Sequence, residues 1–476
     1  MGNSEKARTR SVLFVTNALI FAVSVFATSA APQRVNLNSR EAPGSHVQLM
    51  QPTGPNGANP PVTITLSDAI ERARKNDTQF LSAQADAKIS HEDRVQARNA
   101  MLPNVSATTQ YLGTQGNGET SNGRFVTNDG VHVYRAWGVF HEDLSPQIYT
   151  MTNYHRAQAA EAISRARAEI ASRGLTVTVT KLYYTLAVSQ HRYATAQQSM
   201  EQAKHFFDVT ENAEQLGQAA HADVIKAEIQ YRQQSQAFEE AKLAMENSRL
   251  DLAVLLFPTL NENFTIVDDL ESSASLPPFT EVQNMAAKAN PTLRVALENA
   301  RQADVEVVVA KAAFLPTLSL DVDYGIEANS FALRSPVAAN RALGPLPNLG
   351  YFVTAGLNIP VWDWGTMRSK LHQSKYKQEV ARAGLSQAQR TLLSELYSAY
   401  NEASVARESF ETSRHTADLA AESLRLINLR YEAGESTALE VVDALNTELM
   451  ARNANDDAGV RYRVALATLQ MLTGSF

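Results

Sequence analysis

Two periodicities alternate along the chain. From Thr65 apolar positions recur at helical spacing, with Leu66, Ala69, Ile70 and Ala73 on one face and Thr65 or Ser67 as the cap. This predicts helix, broken near Asn76-Asp77, to about Met101. Leu102-Pro103 then ends it, because proline cannot continue the ladder and disfavours a helical residue before it. Beyond Pro103 the period drops to two. Val105, Ala107, Thr109 and Tyr111 alternate with polar neighbours as in a strand. After a polar, glycine-rich loop (Gly113 to Gly130), a second strand is expected from Val133 to His141. Its alternation is weak, and Arg135 shares a face with Val133, Trp137 and Val139. Near Pro146 the helical pattern resumes and runs to about Ala213, about 100 Å at 1.5 Å per residue. Leu216-Gly217-Gln218 turns the chain, a helix returns from about Ala222 to Leu256, and Pro258 to Pro278 forms an irregular connector with a short strand at Phe264 to Val267.

The whole series then recurs. At an offset of 213 residues, Ala73, Lys75, Ala83, Ala87, Ala97, Ala100, Leu102, Pro103 and Ser106 reappear as Ala286, Lys288, Ala296, Ala300, Ala310, Ala313, Leu315, Pro316 and Ser319. At an offset of 217, Tyr183, Gly217, Val224, Ala227 and Ala241 reappear as Tyr400, Gly434, Val441, Ala444 and Ala458. A tandem duplication is the expected origin. The organisation read from the sequence is a signal segment at 1–30, a flexible lead-in at 31–62, a first repeat at 63–257, a connector at 258–279 and a second repeat at 280–474.

The second strand pair has the cleaner alternation. Leu318, Leu320, Val322, Tyr324 and Ile326 face opposite to Ser319, Asp321, Asp323 and Gly325. Tyr351, Val353, Ala355, Leu357 and Ile359 alternate with Phe352, Thr354, Gly356 and Asn358. One face suits lipid and the other water, as in outer-membrane barrels; half-buried strands of a soluble sheet would show the same alternation. Four strands cannot close a barrel, so a membrane reading requires several chains.

Composition narrows the function classes. At 476 residues, with 44% hydrophobic and 20% charged residues, the chain is a folded protein rich in long helix. It has no cysteine, which excludes disulfides, thiolate nucleophiles, cysteine-ligated zinc and a lipid anchor on an N-terminal cysteine. The net charge of −7 offers nothing to nucleic acid. Lys6, Arg8 and Arg10, the apolar run Val12 to Phe26, and Ala27-Thr-Ser-Ala30 read as an export signal. The histidines show no paired metal spacing, and His141 and His155 read as surface or barrel-wall residues. The acid pairs Asp268-Asp269 and Asp456-Asp457 are expected to lack a convergent partner. Neither an enzyme nor a cofactor is expected.

With these elements in order, the chain resembles the TolC family of outer-membrane efflux proteins from about Leu66 to Thr473. The marks are Leu-Pro before each strand pair, Asn358-Ile-Pro-Val-Trp-Asp-Trp-Gly365 leaving the last strand, and Tyr431-Glu-Ala-Gly434 followed by Glu440-Val-Val-Asp443. Pro103, Pro316, Pro360 and Gly365 correspond to strand–helix elbows, and His141 to Pro146 is a degenerate copy of the last of these. The resemblance implies a mainly α fold with a transmembrane β part. Three chains would form a twelve-strand barrel in the outer membrane, continuous with a twelve-helix barrel in the periplasm. It further implies a passive exit duct for an inner-membrane pump or type I secretion system, joined through a periplasmic adaptor. Glu440 and Asp443 would ring the periplasmic mouth, and Asp223 and Tyr431 would lock the tips by interhelical hydrogen bonds. Leu216, Gly217, Gln218, Ala433, Gly434 and Glu435 would meet the adaptor. Where a family member carries an arginine latch this chain has Ser436, so a less firmly closed mouth is expected, with Arg430 or Lys226 the candidate replacements. Read without the resemblance, Glu440 and Asp443 are also a solvated helix face beside a cap. The alternative function is a secreted coiled-coil structural or adaptor protein without a pore.

Overall fold

A computed structural model describes residues 62–113, 132–217, 220–258, 263–270, 275–328, 331–338, 345–433 and 435–474. The expected signal segment, almost all of the lead-in, Gln218 and Gly434 lie outside these residues. Strand β1 (Val62–Ile64) leads into α1 (Leu66–Asn76) and α2 (Thr78–Asn99). Then come β2 (Asn104–Gly113), β3 (His132–Asp143), the short α3 (Pro146–Tyr149), α4 (Thr152–Gln215) and α5 (His221–Leu256). After β4 (Phe264–Ile266) follow α6 (Phe279–Ala289), α7 (Pro291–Ala312), β5 (Thr317–Ala328), β6 (Arg334–Ala338), β7 (Pro345–Pro347), β8 (Leu349–Asn358), α8 (Thr366–Glu432) and α9 (Ala438–Thr473). The two halves run through matching helices: α2 and α7 have 22 residues each, α4 and α8 have 64 and 67, α5 and α9 have 36 each.

Local signals set the boundaries. Thr65 caps α1 in a capping box with Asp68, and Asp77 and Asn290 cap α2 and α7 at corresponding positions by accepting from Phe80 N (2.6 Å) and Leu293 N (2.9 Å). One boundary differs from expectation. Helix does not run unbroken from Pro146, because Met151 takes a left-handed φ of 50° between α3 and α4.

The long helices α4 and α8 each serve two neighbourhoods. α4 packs on α2 and α7 and also on α5 and α9; α8 packs on α7 and α9. Corresponding clasps fasten the upper pairs. Glu161 of α4 is buried and takes bonds from His91 (2.9 Å), Arg94 (2.7 Å) and Arg165, while Asp304 of α7 receives Gln378 (2.7 Å) and Arg382 (3.1 Å) of α8. At mid-length, β1 and β4 pair in parallel and cover a core of Ile64, Leu175, Val179, Tyr183, Leu252 and Leu256. A second core gathers Val282, Ala286, Leu396 and Leu469. Among the described residues no helix is long and apolar enough to cross a membrane.

The four-stranded sheet has the order β2-β3-β5-β8, all antiparallel. Its register sorts the side chains into two faces, since residues paired across strands share a side. Val105, Tyr111, Tyr134, Phe140, Leu320, Val322, Tyr324, Val353 and Leu357 lie on one. Ser106, Thr108, Gln110, Arg135, His141, Asp321, Asp323, Glu327 and Thr354 lie on the other. This accounts for Arg135. The Val133–Trp137–Val139 side of β3 is the polar face, and Arg135 there donates to Glu327 (2.8 Å) on one neighbour and Gln110 (3.1 Å) on the other, with its guanidinium over the Trp137 ring. On the same face His141 meets Asp321 at 2.5 Å.

Candidate functional site

The two helical turns at the ends of α4 and α8 carry most of the expected site residues. At the first, Gly217 takes φ +71°, and Leu216 N and Gly217 N bond back to Asn212 O (3.1 Å) and Glu214 O (2.8 Å). Glu214 reaches across the turn to His221 (2.7 Å). A Cβ on Gly217 would meet no atom, so only its backbone conformation asks for glycine. At the second turn, Ala433 N bonds to Leu429 O (3.1 Å) and Glu435 N to Arg430 O (2.8 Å). Leu216 and Leu439 protrude at the two turns, 72% and 67% exposed.

Asp223, Arg430 and Ser436 are each engaged within their own turn. Asp223 pairs with Lys226 one turn along the same helix, at 3.5 Å. Arg430 donates to Glu435 O (3.3 Å). Thr437 caps α9 by accepting from Glu440 N (3.4 Å), and both Ser436 (2.5 Å) and Thr437 (3.3 Å) donate to the Glu440 carboxylate. These bonds, Ser436 first, hold Glu440 below the usual carboxylate range. Ser436 is therefore bonded to the Glu440 side chain beside the Thr437 cap and does not reach another hairpin. Tyr431 does cross between hairpins, but as a ring. It packs edge-on against Phe206 of α4 at 5.4 Å, beside Val441, Ala444 and Leu445. Among the described residues its hydroxyl has no hydrogen bond, and Asp223 is not brought to it. Glu440 and Asp443 are both exposed, on the side of α9 away from buried Val441, Ala444 and Leu445. A groove of about 460 Å³ between α4, α8 and α9 is lined by His205, Phe206, Val209, Asn428, Tyr431 and Val441.

The elbows sit at one end of the sheet. Leu102 N and Leu315 N close the last turns of α2 and α7 (3.0 Å each), and the strands begin just past Pro103 and Pro316. After Pro360 the chain makes a self-capped turn. The Asp363 carboxylate accepts from Gly365 N (3.0 Å) and Met367 N (2.5 Å), with Trp364 and Gly365 at φ 56° and 84°. Asp143 makes the shorter version in the first half, accepting from Ser145 N (2.9 Å).

One expectation is overturned. Asp268 and Asp456 do converge, on His191 of α4, whose Nε2 lies 2.5 Å from Asp268 and whose Nδ1 lies 3.3 Å from Asp456; Arg192 beside it holds Asp457 at 2.6 Å. The partners are 77 and 265 residues away in sequence, so no local pattern pointed to the clasp. Among the described residues no cluster of His, Asp or Glu is arranged to hold a metal ion.

The family model for outer membrane efflux proteins matches residues 282–475. That span is the second half of the chain. Over the longer span, outer membrane protein OprJ of Pseudomonas aeruginosa is 23% identical, covering 82% of this chain and 78% of that protein. Outer membrane protein TolC of Vibrio cholerae is also 23% identical, covering 85% and 89%. Among solved structures, the open state of the Neisseria gonorrhoeae MtrE outer membrane channel matches with a TM-score of 0.70 at 20% identity, over 86% of this chain and 89% of that one. The likeness extends the fold over the first half, which the family model does not reach. The resemblance read from the sequence is thereby borne out. This is an outer-membrane efflux protein, a transport component and not an enzyme.

Proposed function

We propose that three copies of this chain form an exit duct across the outer membrane and periplasm, receiving cargo from an inner-membrane pump through a periplasmic adaptor. The observation that carries this is the sheet. It has an apolar face and a polar face, and its outer strands β2 and β8, ten residues each, have no partner on their far sides within the described residues. Open strand edges cannot stand in hydrocarbon, because each unpaired amide there costs several kcal/mol. Pairing β8 of one copy with β2 of the next satisfies both edges. Three copies of four strands make a closed twelve-strand barrel with a polar lumen. The tandem duplication would place two hairpins per copy at the far end of the long helices, six around the mouth.

In that assembly Glu440 and Asp443, exposed and unshielded by the core of their own hairpin, face the passage and attract cations. Leu216, Leu439 and the two turns meet the adaptor. With Ser436, Lys226 and Arg430 each spent inside their own turns, closure rests on packing such as Tyr431 against Phe206. The test is conductance of purified protein in a planar bilayer, beside its migration before and after boiling. A trimer that opens a cation-preferring pore is expected, with the preference reduced in a Glu440→Gln, Asp443→Asn double variant. A monomer with no pore at any voltage would overturn the duct. An unchanged ion preference would overturn the assignment of the two acids.

A further inference from the structure

We propose that the polar face of the sheet carries a binding site for planar aromatic cations, built by Phe352 and Asp323 beside a bare glycine floor. The site would line the passage, so it rests on the reading of that face as the lumen of the duct. The register sets its parts together. Asp323 of β5 pairs with Phe352 of β8, and Gly325 with Gly350, all four on the polar face. Trp137 of β3 stands opposite Gly325 on its other side. The Cβ atoms of a cross-strand pair lie about 5 Å apart, and the next residue on the same face lies about 7 Å along the strand. Carboxylate, ring and floor therefore fall within the span of one small aromatic molecule.

Each part is left free for a ligand. Among the described residues of the sheet, Phe352 is the one large apolar side chain that the polar face leaves exposed, at 62%. Turned away from the lipid side, it offers its π surface to whatever passes. Asp323 is its complement. The charged neighbours are spent on one another, Arg135 on Glu327 (2.8 Å) and His141 on Asp321 (2.5 Å), whereas Asp323 has no hydrogen bond or ion pair among the described residues. The floor is open at Gly350, where a Cβ would meet no atom within 4 Å. It is closed at Gly325, where the Trp137 ring comes within 2.8 Å of the place a Cβ would take. Trp137 thus forms the back wall, with the Arg135 guanidinium over its ring at 5.4 Å. Charge complementarity selects the occupant. A carboxylate without a partner beside an exposed ring attracts a cation twice, by its charge and through the negative face of the ring. An anion would meet Asp323 with Arg135 already engaged by Glu327.

The chain has three tryptophans, so a full-length oligomer carrying Trp362→Phe and Trp364→Phe emits from Trp137 alone. Its fluorescence is titrated with 1-methylnicotinamide, a planar cation that quenches indole on approach, and with nicotinamide, the neutral counterpart. Quenching by the cation should saturate, while that by nicotinamide should rise linearly, as in random collision. In Asp323→Asn and in Phe352→Leu, half-saturation should move to an about fivefold higher concentration. Gly350→Val, which fills the open floor, should do the same and stands in for Phe352→Leu if that variant fails to assemble. If the tryptophan background itself fails to assemble, calorimetric titration of the wild-type oligomer with the same two compounds makes the comparison. Linear quenching by both compounds would overturn the site. So would saturation that none of the variants weakens, which places the cation elsewhere, or weakening by Asp323→Asn alone, which leaves a bare charge. Protein that conducts in a planar bilayer yet quenches only linearly defeats the site alone; protein that opens no pore defeats the duct reading, and the lumenal site with it.

Discussion

Single residues in the sheet show how closely sequence chemistry is tied to register. Gly325 stands opposite Trp137, and a Cβ there would overlap the Ala136 carbonyl oxygen and come within 2.8 Å of Trp137 Cα. Strand glycines often mark such approaches. Gly325→Ala is expected to cost on the order of 1–3 kcal/mol through overpacking, seen as a lower dissociation temperature of the oligomer on unboiled gels. Gly350→Ala on the same face meets nothing within 4 Å and should be close to neutral by the same readout. Such a difference is invisible in the sequence, where each is simply a glycine in or beside a strand pattern. The Gly217 turn and the Thr65 cap were legible, because backbone sign and capping depend on neighbours within four residues. The roles of Ser436 and Arg430 were not. Short polar side chains beside a helix start can bond forward, backward or across, and only the fold settles Ser436 on Glu440.

Among the elements, the mid-length layer where β1 and β4 meet α4 ties the two halves to one another. Tyr183 places its hydroxyl there, donating to Val267 O (2.6 Å), with Ile64 O in reach (3.1 Å), and accepting from Val267 N (3.1 Å). Burial pushes its pKa up to about 12. Tyr183→Phe leaves these buried groups without a partner and should destabilise the fold by about 1–3 kcal/mol in denaturant titration. The His191 clasp adds a pH dependence. Asp456 first, and then Asp268, raise the imidazole from 6.5 to about 9 against the opposing effect of burial. The folded state thus favours the proton. Its stabilisation is complete below about pH 6.5 and is lost as the pH rises through about 9. Wild type should melt above His191→Gln at pH 6–7, and the gap should close by pH 10. A gap independent of pH would show that the histidine acts by packing alone. The long helices, the four strands of the main sheet and their order were readable from periodicity, whereas the short β1, β6 and β7 and the break at Met151 were not. The clasp was not, because it joins three segments that only the packing of α9 on α4 brings together.

For the whole molecule, the two faces of the sheet make separable predictions. Val353 and Thr354 are neighbours on β8 and point to opposite sides. In the proposed barrel, Val353→Lys would put an ammonium on the lipid side at a cost of about 2–4 kcal/mol near the membrane midplane, and Thr354→Lys would put the same charge in the water-filled lumen. Outer-membrane fractions should lose most of the first variant and keep the second, whose pore should become less cation-preferring. Equal loss of both would point to a sheet buried within protein on each side.

Periodicity, duplicated spacing and turn chemistry were enough to determine the order of the main elements, the two-fold plan of the chain and the family it resembles, because each depends on residues close in sequence or on a pattern repeated at fixed distance. Tertiary structure decided what no local pattern holds. The register of β3 between β2 and β5 turned an awkward Arg135 into a bridge on the polar face. The approach of α9 to α4 gave two acids a shared histidine. A side chain's partner across the fold is set by geometry summed over hundreds of intervening residues, whereas its secondary structure is set largely by its neighbours.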